Sequence, residues 1–319
     1  MVSLWQSLPK PIISLAPMED VTDTVLRQIF CITGKPDVFF TEFTNVDGIS
    51  SQGHDVVARR LQFTHIEHPI VAQIWGMKPE NYYKVAKELV ERGFDGIDIN
   101  MGCPQHDVTS HGACSALIKN HPLATEIIQA TQEGAGELPV SVKTRIGFKH
   151  IQTEEWIGFL LQHNLPLITV HGRTAAEMSK VPAHWDEIGK AAELRKTMEK
   201  STLIFGNGDV ASLAEAKEKV EKYHLDGVMI GRGIFHNPWI FAGIDPTTKS
   251  LQERLELLER HVRLYQETWG NQKSFQILKK YFKVYISDFD GAAEMRQRFM
   301  ETNAYEEALS LVRDILKTL

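Results

Sequence analysis

The sequence has few features of a secreted or membrane protein. It contains only three cysteines in 319 residues, an odd number that cannot complete a disulfide framework. No apolar run approaches the roughly 18 residues that a membrane-spanning helix requires. The first residues, MVSLWQSLPKPI, lack the basic segment and long apolar core of a signal peptide. These absences predict a cytoplasmic protein with reduced thiols and no membrane partner.

An excess of basic residues is also missing. The chain has 35 Lys and Arg against 41 Asp and Glu, for a net charge of -6. Contact with a nucleic acid therefore requires a local basic patch. The dinucleotide fingerprint GxGxxG is absent, which is consistent with a reductant that binds only transiently. Nothing in the sequence indicates an obligate protein partner.

Short apolar runs rich in Val and Ile alternate with longer amphipathic segments. The eight runs are IISLAP, DVFFTEF, PIVAQIWG, GIDINMG, PVSVKTRIG, LITVHGRT, TLIFGNGD and GVMIGRG. Between the third and fourth, PENYYKVAKELVERG places Val85, Leu89 and Val90 at helical spacing. Parallel strands buried between helices have this pattern, which predicts an α/β fold, a (β/α)8 TIM barrel.

The pattern changes near Ser250, where strand signals end and helical ones continue. The helical segments are LQERLELLERHVRLYQETWG, FQILKKYFKVYISDF and NAYEEALSLVRDILKTL. Pro246 and the small polar residues of IDPTTKS mark a linker. We therefore expect a catalytic barrel over residues 1–245 and an all-helical domain over residues 246–319.

The ends of the predicted strands carry polar side chains. Active sites of TIM barrels lie at the C-terminal ends of the strands. The strand ends are Ala16-Pro17-Met18, Glu42, Gln73, Asn100 with Cys103, Lys143 with Arg145, His171 with Arg173, Asn207-Gly208-Asp209 and Gly231-Arg232-Gly233. This ring is rich in amides and cationic.

The last two strand ends, GNGD and GRG, favour a phosphate site. Barrels frequently bind phosphate there, and glycines let main-chain N–H groups approach an anion. Tight turns alone would also explain the glycines. Lys143 and His171 suit a flavin, which becomes anionic when reduced, and Gln73 can pair with its pyrimidine edge. A Schiff-base lysine and a structural histidine remain alternatives.

Cys103 lies between Gly102 and Pro104, directly after the fourth run. Since a residue before proline favours extended backbone, the thiol is held at the end of a strand. A nucleophilic pair with His106 lacks a third, orienting residue. Histidines near the cysteines lack a zinc-ligand spacing, so we predict no metal site. Cys31 and Cys114 are expected to pack in the core.

The motifs APMEDVTD, TEF, DINMGCP, GACSALIKN, SVKTRIGF, VHGRT, NGDV and GVMIGRG resemble, in order, those of the tRNA-dihydrouridine synthases. LKKYFKVYI and GAAEMRQ are similar to the helical domain of that family. The resemblance implies an enzyme with tightly, non-covalently bound FMN. Such an enzyme takes electrons from NADPH and reduces particular uridines of tRNA to 5,6-dihydrouridine.

The resemblance also implies roles for individual residues. Cys103 would be the catalytic acid, giving a proton to C5 of uracil, and Asn100 and Arg145 would hold the uracil. The implied flavin contacts are Pro17, Met18, Gln73, Lys143, His171, Asn207, Gly208, Asp209, Gly231 and Arg232. A free thiol has a pKa of about 8.5, so near neutral pH it retains the proton that an acid needs.

A basic segment of the helical domain is the candidate tRNA contact. It places Lys279, Lys280 and Lys283 among Tyr281, Phe282 and Tyr285, and Arg296 and Arg298 lie nearby in the sequence. Taken alone, this segment slightly favours an amphipathic helix with packed aromatics and solvated lysines. The chain departs from the family pattern at Ala175, Met178, Ser179 and Tyr281, which leaves the target uridine open.

Two other functions fit parts of the sequence. A flavin enzyme acting on a free pyrimidine, similar to dihydroorotate or dihydropyrimidine dehydrogenase, would use nearly the same chemistry. Such an enzyme would not need the helical domain.

An RNA-binding or chaperone-like protein with secondary redox activity is the third possibility. An intact Cys103, Lys143 and His171 argue against loss of activity but do not disprove such a second role.

Overall fold

The computed structural model describes residues 4–319 and contains a parallel barrel. Its strands are β1 Ile12–Leu15, β2 Phe39–Phe40, β3 Thr44–Asn45, β4 Ile70–Trp75, β5 Gly96–Met101, β6 Val140–Arg145, β7 Leu167–His171, β8 Leu203–Asn207 and β9 Gly227–Ile230. The strand order is β1-β9-β8-β7-β6-β5-β4-β2, with β3 beside β4. A bridge between Ser14 and Val38 brings β1 and β2 together. The prediction of a TIM barrel is confirmed.

The second predicted strand, DVFFTEF, is interrupted. It forms the two-residue β2, and pairing with β4 resumes only at β3. The hydroxyl of Thr41 accepts the main-chain N–H of Gln73 at 3.0 Å, where a regular ladder would use a carbonyl. A side chain that competes for main-chain hydrogen bonds breaks the ladder at this point.

Helices surround the barrel and follow it. They are α1 Leu4–Ser7, α2 Thr24–Thr33, α3 Val46–Ile49, α4 His54–Val57, α5 Pro79–Glu91, α6 His106–Thr109, α7 His121–Ala135, α8 Thr153–Leu160, α9 Trp185–Thr197, α10 Leu213–Tyr223, α11 Leu251–Trp269, α12 Phe275–Leu278, α13 Phe282–Tyr285, α14 Ala292–Glu301 and α15 Tyr305–Leu316. In α5, Val85 and Leu89 are buried as predicted, but Val90 is exposed. Among the described helices, none has the length and apolar character needed to span a bilayer.

The C-terminal helical segment begins at a capping box, in which Ser250 and Glu253 bond each other's main-chain N–H. The segment FQILKKYFKVYISDF is helical over residues 275–285, in agreement with the prediction. A 3-10 turn, Lys279–Tyr281, separates α12 from α13. Buried tyrosine hydroxyls need partners, and here Tyr281 donates to the carbonyl of Val21 while Tyr285 bonds His261.

The interior of the barrel changes from apolar to polar along the strands. At the N-terminal end, Trp5 packs against Phe40 and Phe205 and closes the barrel with apolar side chains. Toward the C-terminal end, the inward positions are polar, beginning with Gln73 and Asp98. The apolar layer fills the N-terminal end of the barrel, so the polar inward-facing residues are confined to the C-terminal end.

Candidate active site

A cavity of about 680 Å³ opens at the C-terminal ends of the strands. This volume is in the usual range for a small-molecule site. The cavity brings together every barrel residue predicted for the site: Pro17, Met18, Gln73, Asn100, Cys103, Lys143, Arg145, His171, Asn207, Gly208, Asp209, Gly231 and Arg232. Arg173 and Gly233 line it as well.

Glu42 does not line this cavity, although it was expected in the ring of strand ends. Its carboxylate accepts the N–H of Asp20 at 2.7 Å and lies 3.4 Å from the ammonium of Lys273 in the helical segment. Burial raises the pKa of Glu42 to about 7, and the charge of Lys273 opposes that shift. β2 ends at Phe40, two residues before Glu42, and the Glu42 carboxylate contacts Asp20 and Lys273 instead of the cavity.

The floor of the cavity is a chain of hydrogen bonds. Asp98 accepts from Ser141 Oγ at 2.6 Å and from Gln73 Nε2 at 2.7 Å. Asn100 Nδ2 donates to Gln73 Oε1 at 3.1 Å. Burial raises the pKa of Asp98 to about 6, so the carboxylate is ionised near neutral pH. Asp98 was not among the predicted site residues, and its signal in the sequence is an acidic residue within the apolar run GIDIN.

The thiol of Cys103 is held by the loop that follows β5. Asn100 Oδ1 accepts the N–H groups of both Gly102 and Cys103 at 3.0 Å. Burial raises the pKa of Cys103, while a hydrogen bond from the Gln105 main chain and the charges of Arg145 and Lys143 act in the opposite direction. The thiol is therefore protonated near neutral pH.

The other two cysteines are in the surroundings expected for packing. Cys114 is 1% exposed, and burial raises its pKa strongly. Cys31 is partly buried against the core, and its thiol donates to the carbonyl of Ile66 at 3.3 Å. Burial raises the pKa of Cys31 to about 11.

Lys143 and His171 point into the cavity with different charges. The ammonium of Lys143 donates to Asn207 Oδ1 at 3.1 Å, and desolvation lowers the Lys143 pKa to about 8. Burial, followed by the nearby cations, holds the pKa of His171 well below its usual range. Arg173 Nη1 lies 3.2 Å from His171 Nε2. A guanidinium can only donate, so Nε2 accepts and the imidazole proton is on Nδ1.

Two arginines hold the segment Thr174–Val181 at the rim of the cavity. Arg145 donates to the carbonyls of Gly102 (2.7 Å), Thr174 (2.9 Å) and Met178 (3.0 Å). Arg173 Nε donates to the carbonyl of Val181 at 2.6 Å. Within residues 4–319, this leaves Nη2 of Arg145 without a hydrogen-bond partner. Most hydrogen-bond donors of Arg145 therefore bind loop carbonyls and are not free to bind a ligand.

The loops after β8 and β9 present free main-chain donors. In the part of the chain that is described, the N–H groups of Gly208, Asp209, Gly231, Arg232 and Gly233 have no acceptor. The carboxylate of Asp209 accepts from Arg173, from Arg232 at 3.1 Å and from Ala183 N at 3.0 Å. Unpaired N–H groups beside an arginine have the chemistry that suits an anion.

The predicted basic-aromatic segment lies outside the cavity, and its aromatic residues are not available for stacking. Tyr281, Phe282 and Tyr285 are at most 3% exposed. Lys279 donates to the carbonyl of Met300 at 2.7 Å, and Lys280 donates to that of Asp20. Lys283 is exposed and makes no hydrogen bond or ion pair with any residue from 4 to 319.

Comparison with known proteins gives the family. The family model for dihydrouridine synthase (Dus) matches residues 14–319. The chain belongs to the dihydrouridine synthase family. A probable tRNA-dihydrouridine synthase 2 of Bacillus subtilis (strain 168) is 44% identical over 315 residues, covering 98% of this chain and 96% of the relative. A probable tRNA-dihydrouridine synthase of Staphylococcus aureus (strain Mu50 / ATCC 700699) is 43% identical over 313 residues, covering 97% and 94%.

Solved structures share the barrel fold of this Dus family member. Morphinone reductase superposes with a TM-score of 0.51 at 13% sequence identity, over 75% of this chain and 88% of that chain. A variant of NCR from Zymomonas mobilis has a TM-score of 0.51 at 16% identity, over 75% and 89%. At these identities the likeness concerns architecture, and the chemistry has to be argued from the cavity itself.

Proposed function

We propose that the chain is an FMN-dependent tRNA-dihydrouridine synthase that uses NADPH as a transient reductant. In this proposal residues 1–245 hold FMN and the target uracil, and residues 246–319 contact tRNA. The observation that carries the proposal is the composition of one cavity. A protonated thiol, two cationic or proton-donating groups and a set of unpaired main-chain donors all line it.

The residues of the cavity fit a flavin mononucleotide. The unpaired N–H groups of the loops after β8 and β9, together with Arg232, suit a phosphate. Lys143 and the Nδ1–H of His171 suit the N1–C2=O edge, where a reduced flavin carries negative charge. Gln73 can still offer one amide N–H, because Nε2 carries two protons and only one goes to Asp98.

Reduction of uracil to 5,6-dihydrouracil adds a hydride to C6 and a proton to C5. When bound, a reduced flavin supplies the hydride. Cys103 supplies the proton, because burial keeps its thiol protonated near neutral pH. The hydrogen bonds from Gly102 and Cys103 to Asn100 hold the thiol at the wall of the cavity. A group positioned in this way acts as a general acid.

Arg145 and Asn100 have limited capacity left for the uracil. Three carbonyls occupy Nε and Nη1 of Arg145, so only Nη2 can face a substrate carbonyl. Asn100 retains one amide N–H after donating to Gln73. Both remaining donors suit the C4 carbonyl, where negative charge develops when hydride reaches C6.

The tRNA contact we propose is electrostatic. Lys283 and the neighbouring Lys279 and Lys280 can neutralise phosphates, whereas the buried aromatics of this segment cannot stack on bases. A uridine in folded tRNA must leave its stack to enter the cavity. Direct contact with phosphates would hold the RNA while one nucleotide is extruded.

The test is an anaerobic reoxidation experiment. The flavin-loaded protein is reduced with NADPH, and its absorbance is followed after adding tRNA that lacks dihydrouridine, free uracil or orotate. Rapid reoxidation by tRNA alone supports the proposal, and sequencing that tRNA locates the modified position. Reoxidation by a free pyrimidine would favour a small-molecule enzyme instead.

Two cysteine variants provide the matched comparison. Cys103→Ala should reduce the rate with tRNA by at least about 100-fold, as expected for loss of a general acid. Cys114→Ala removes a buried thiol that does not line the cavity and should leave that rate nearly unchanged. A Cys103→Ala protein that reduces tRNA at the wild-type rate would overturn the role of the thiol.

A further inference from the structure

We propose that Asp98 is a positioning residue: its carboxylate, acting through Gln73 and Asn100, holds the loop that carries the Cys103 thiol. The inference rests on the proposed function only for the chemical role of that thiol. The hydrogen bonds themselves are independent of any ligand.

Strand register places the members of this chain side by side. Gln73 of β4 is paired with Asp98 of β5, which is paired with Ser141 of β6. Asn100 is two residues further along β5 and therefore on the same, inward side. The side-chain contacts follow this register, from Asp98 to Gln73 at 2.7 Å and from Gln73 to Asn100 at 3.1 Å.

The groups at the two ends of the chain determine which amide atoms donate and which accept. An ionised Asp98 can only accept, so Nε2 of Gln73 faces it and Oε1 faces Asn100. Asn100 must then donate through Nδ2, which leaves Oδ1 for the two N–H groups of Gly102 and Cys103. Those main-chain groups can only donate. Asp98 and the cysteine loop therefore enforce the same orientation of both amides.

A buried carboxylate is costly, and its surroundings show what compensates it. Asp98 is 0% exposed, and its oxygens accept from Ser141 and Gln73. It does not reach the cavity, so it is not a ligand-contacting group. Its influence on the reaction must pass through the amides above it.

The experiment measures alkylation of Cys103 by iodoacetamide in the full-length protein. Mass spectrometry of the Cys103 peptide separates it from Cys31 and Cys114. Asp98→Leu removes the acceptor and should release Asn100 from its fixed orientation. The loop then opens, and we expect alkylation to accelerate about tenfold, as for loss of one buried hydrogen bond. Asp98→Asn keeps an acceptor for Gln73 and should stay within about threefold of wild type.

Two further variants separate positioning from packing. Ser141→Ala removes the other partner of Asp98 and should leave the alkylation rate unchanged. Gln73→Met breaks the same chain of hydrogen bonds at its next member, so its alkylation rate should match that of Asp98→Leu. The double variant should be alkylated no faster than either single variant. Gln73→Met and Asp98→Asn also keep the test decisive if Asp98→Leu does not fold.

Several results would overturn the inference. One is a wild-type alkylation rate in Asp98→Leu or Gln73→Met. Another is an acceleration in Ser141→Ala equal to that in Asp98→Leu, and a third is additive acceleration in the double variant. An accelerated Asp98→Asn would equally reject the hydrogen-bond role. The alkylation experiment contains neither tRNA nor NADPH, so a negative result does not bear on the proposed function. Conversely, the alkylation rates can still be interpreted if the protein does not reduce tRNA.

Discussion

The indole N–H of Trp269, at the end of α11, donates to the carboxylate of Asp23 at 2.8 Å. Asp23 also caps α2 by accepting the N–H of Leu26. Lys273 lies 3.2 Å from Asp23 and 3.4 Å from Glu42, so one ammonium compensates two buried carboxylates. These contacts join the helical segment to the loop that follows β1, which carries Pro17 and Met18.

Replacing Lys273 tests how strongly this contact holds the two parts together. Lys273→Met leaves both carboxylates uncompensated and should lower the free energy of unfolding by about 3 kcal/mol. Lys317→Met is the control, because its ion pair with Asp314 is exposed and should contribute less than about 1 kcal/mol. Urea denaturation of both variants measures the difference. Equal stabilities would show that the contact is incidental.

Glu42 should make stability depend on pH. Its folded-state pKa, about 7, is above the ordinary glutamate pKa of 4.5, so the folded protein binds this proton more tightly. The resulting stabilisation is complete below pH 4.5 and is lost as pH rises through 7. Relative to Glu42→Gln, the wild type should lose up to about 3 kcal/mol across that window. Glu137→Gln, an exposed control, should give a curve parallel to wild type.

The barrel was predictable because each buried strand is a short apolar run ending in Gly, Pro or a polar residue. The direction of Glu42 was not, since it depends on a hydroxyl of Thr41 that replaces one main-chain acceptor. The partners of Tyr281 and Tyr285, which are Val21 and His261, were likewise not predictable, since they come from other parts of the fold. Periodicity describes the face that a residue occupies, but not the partner that it meets.

The candidate site was predictable at the level of its ring of residues. Motifs at strand ends indicated the cavity members, because parallel strands all end at one side of a barrel. Asp98 was missed because it precedes the strand end and does not line the cavity. The hydrogen bonds of Arg145 within the protein were also not predictable, since its three carbonyl partners, Gly102, Thr174 and Met178, are all distant in sequence.

Lys143 should give the reductive reaction an alkaline limit. Its pKa is lowered to about 8, so its positive charge is present below that pH and is lost above it. The rate of flavin reduction by NADPH should therefore decline as pH rises through about 8. Lys143→Met should be slow throughout and lack this step, whereas Lys217→Met, on the outer helix α10, should keep it. A step that survives in Lys143→Met belongs to another group.

Arg232 should matter for the phosphate of the cofactor and not for its ring. Arg232→Met should weaken FMN binding by roughly tenfold, the effect of one charge-assisted hydrogen bond. Riboflavin, which lacks the phosphate, should bind both proteins equally. Titration of the flavin-free protein with each compound measures this ratio. Equal weakening for both compounds would place Arg232 elsewhere than at a phosphate.

Lys283 should contribute to tRNA affinity through charge alone. Lys283→Glu should weaken binding at low salt and reduce the slope of log affinity against log salt by about one. Lys217→Glu makes the same charge change on α10 and serves as the control. Filter binding over a series of salt concentrations gives both slopes. Identical slopes for the two variants would remove Lys283 from the RNA contact.

The rim segment Thr174–Val181 is tethered to Arg145 and Arg173 through its carbonyl oxygens. Every residue has the same main-chain carbonyl, whatever its side chain, so these hydrogen bonds do not depend on residue identity. Side chains such as Met178 and Ser179 can therefore change during evolution while the segment keeps its place above the cavity. Substitutions at this rim would change the side chains that face the cavity while leaving its main-chain frame in place.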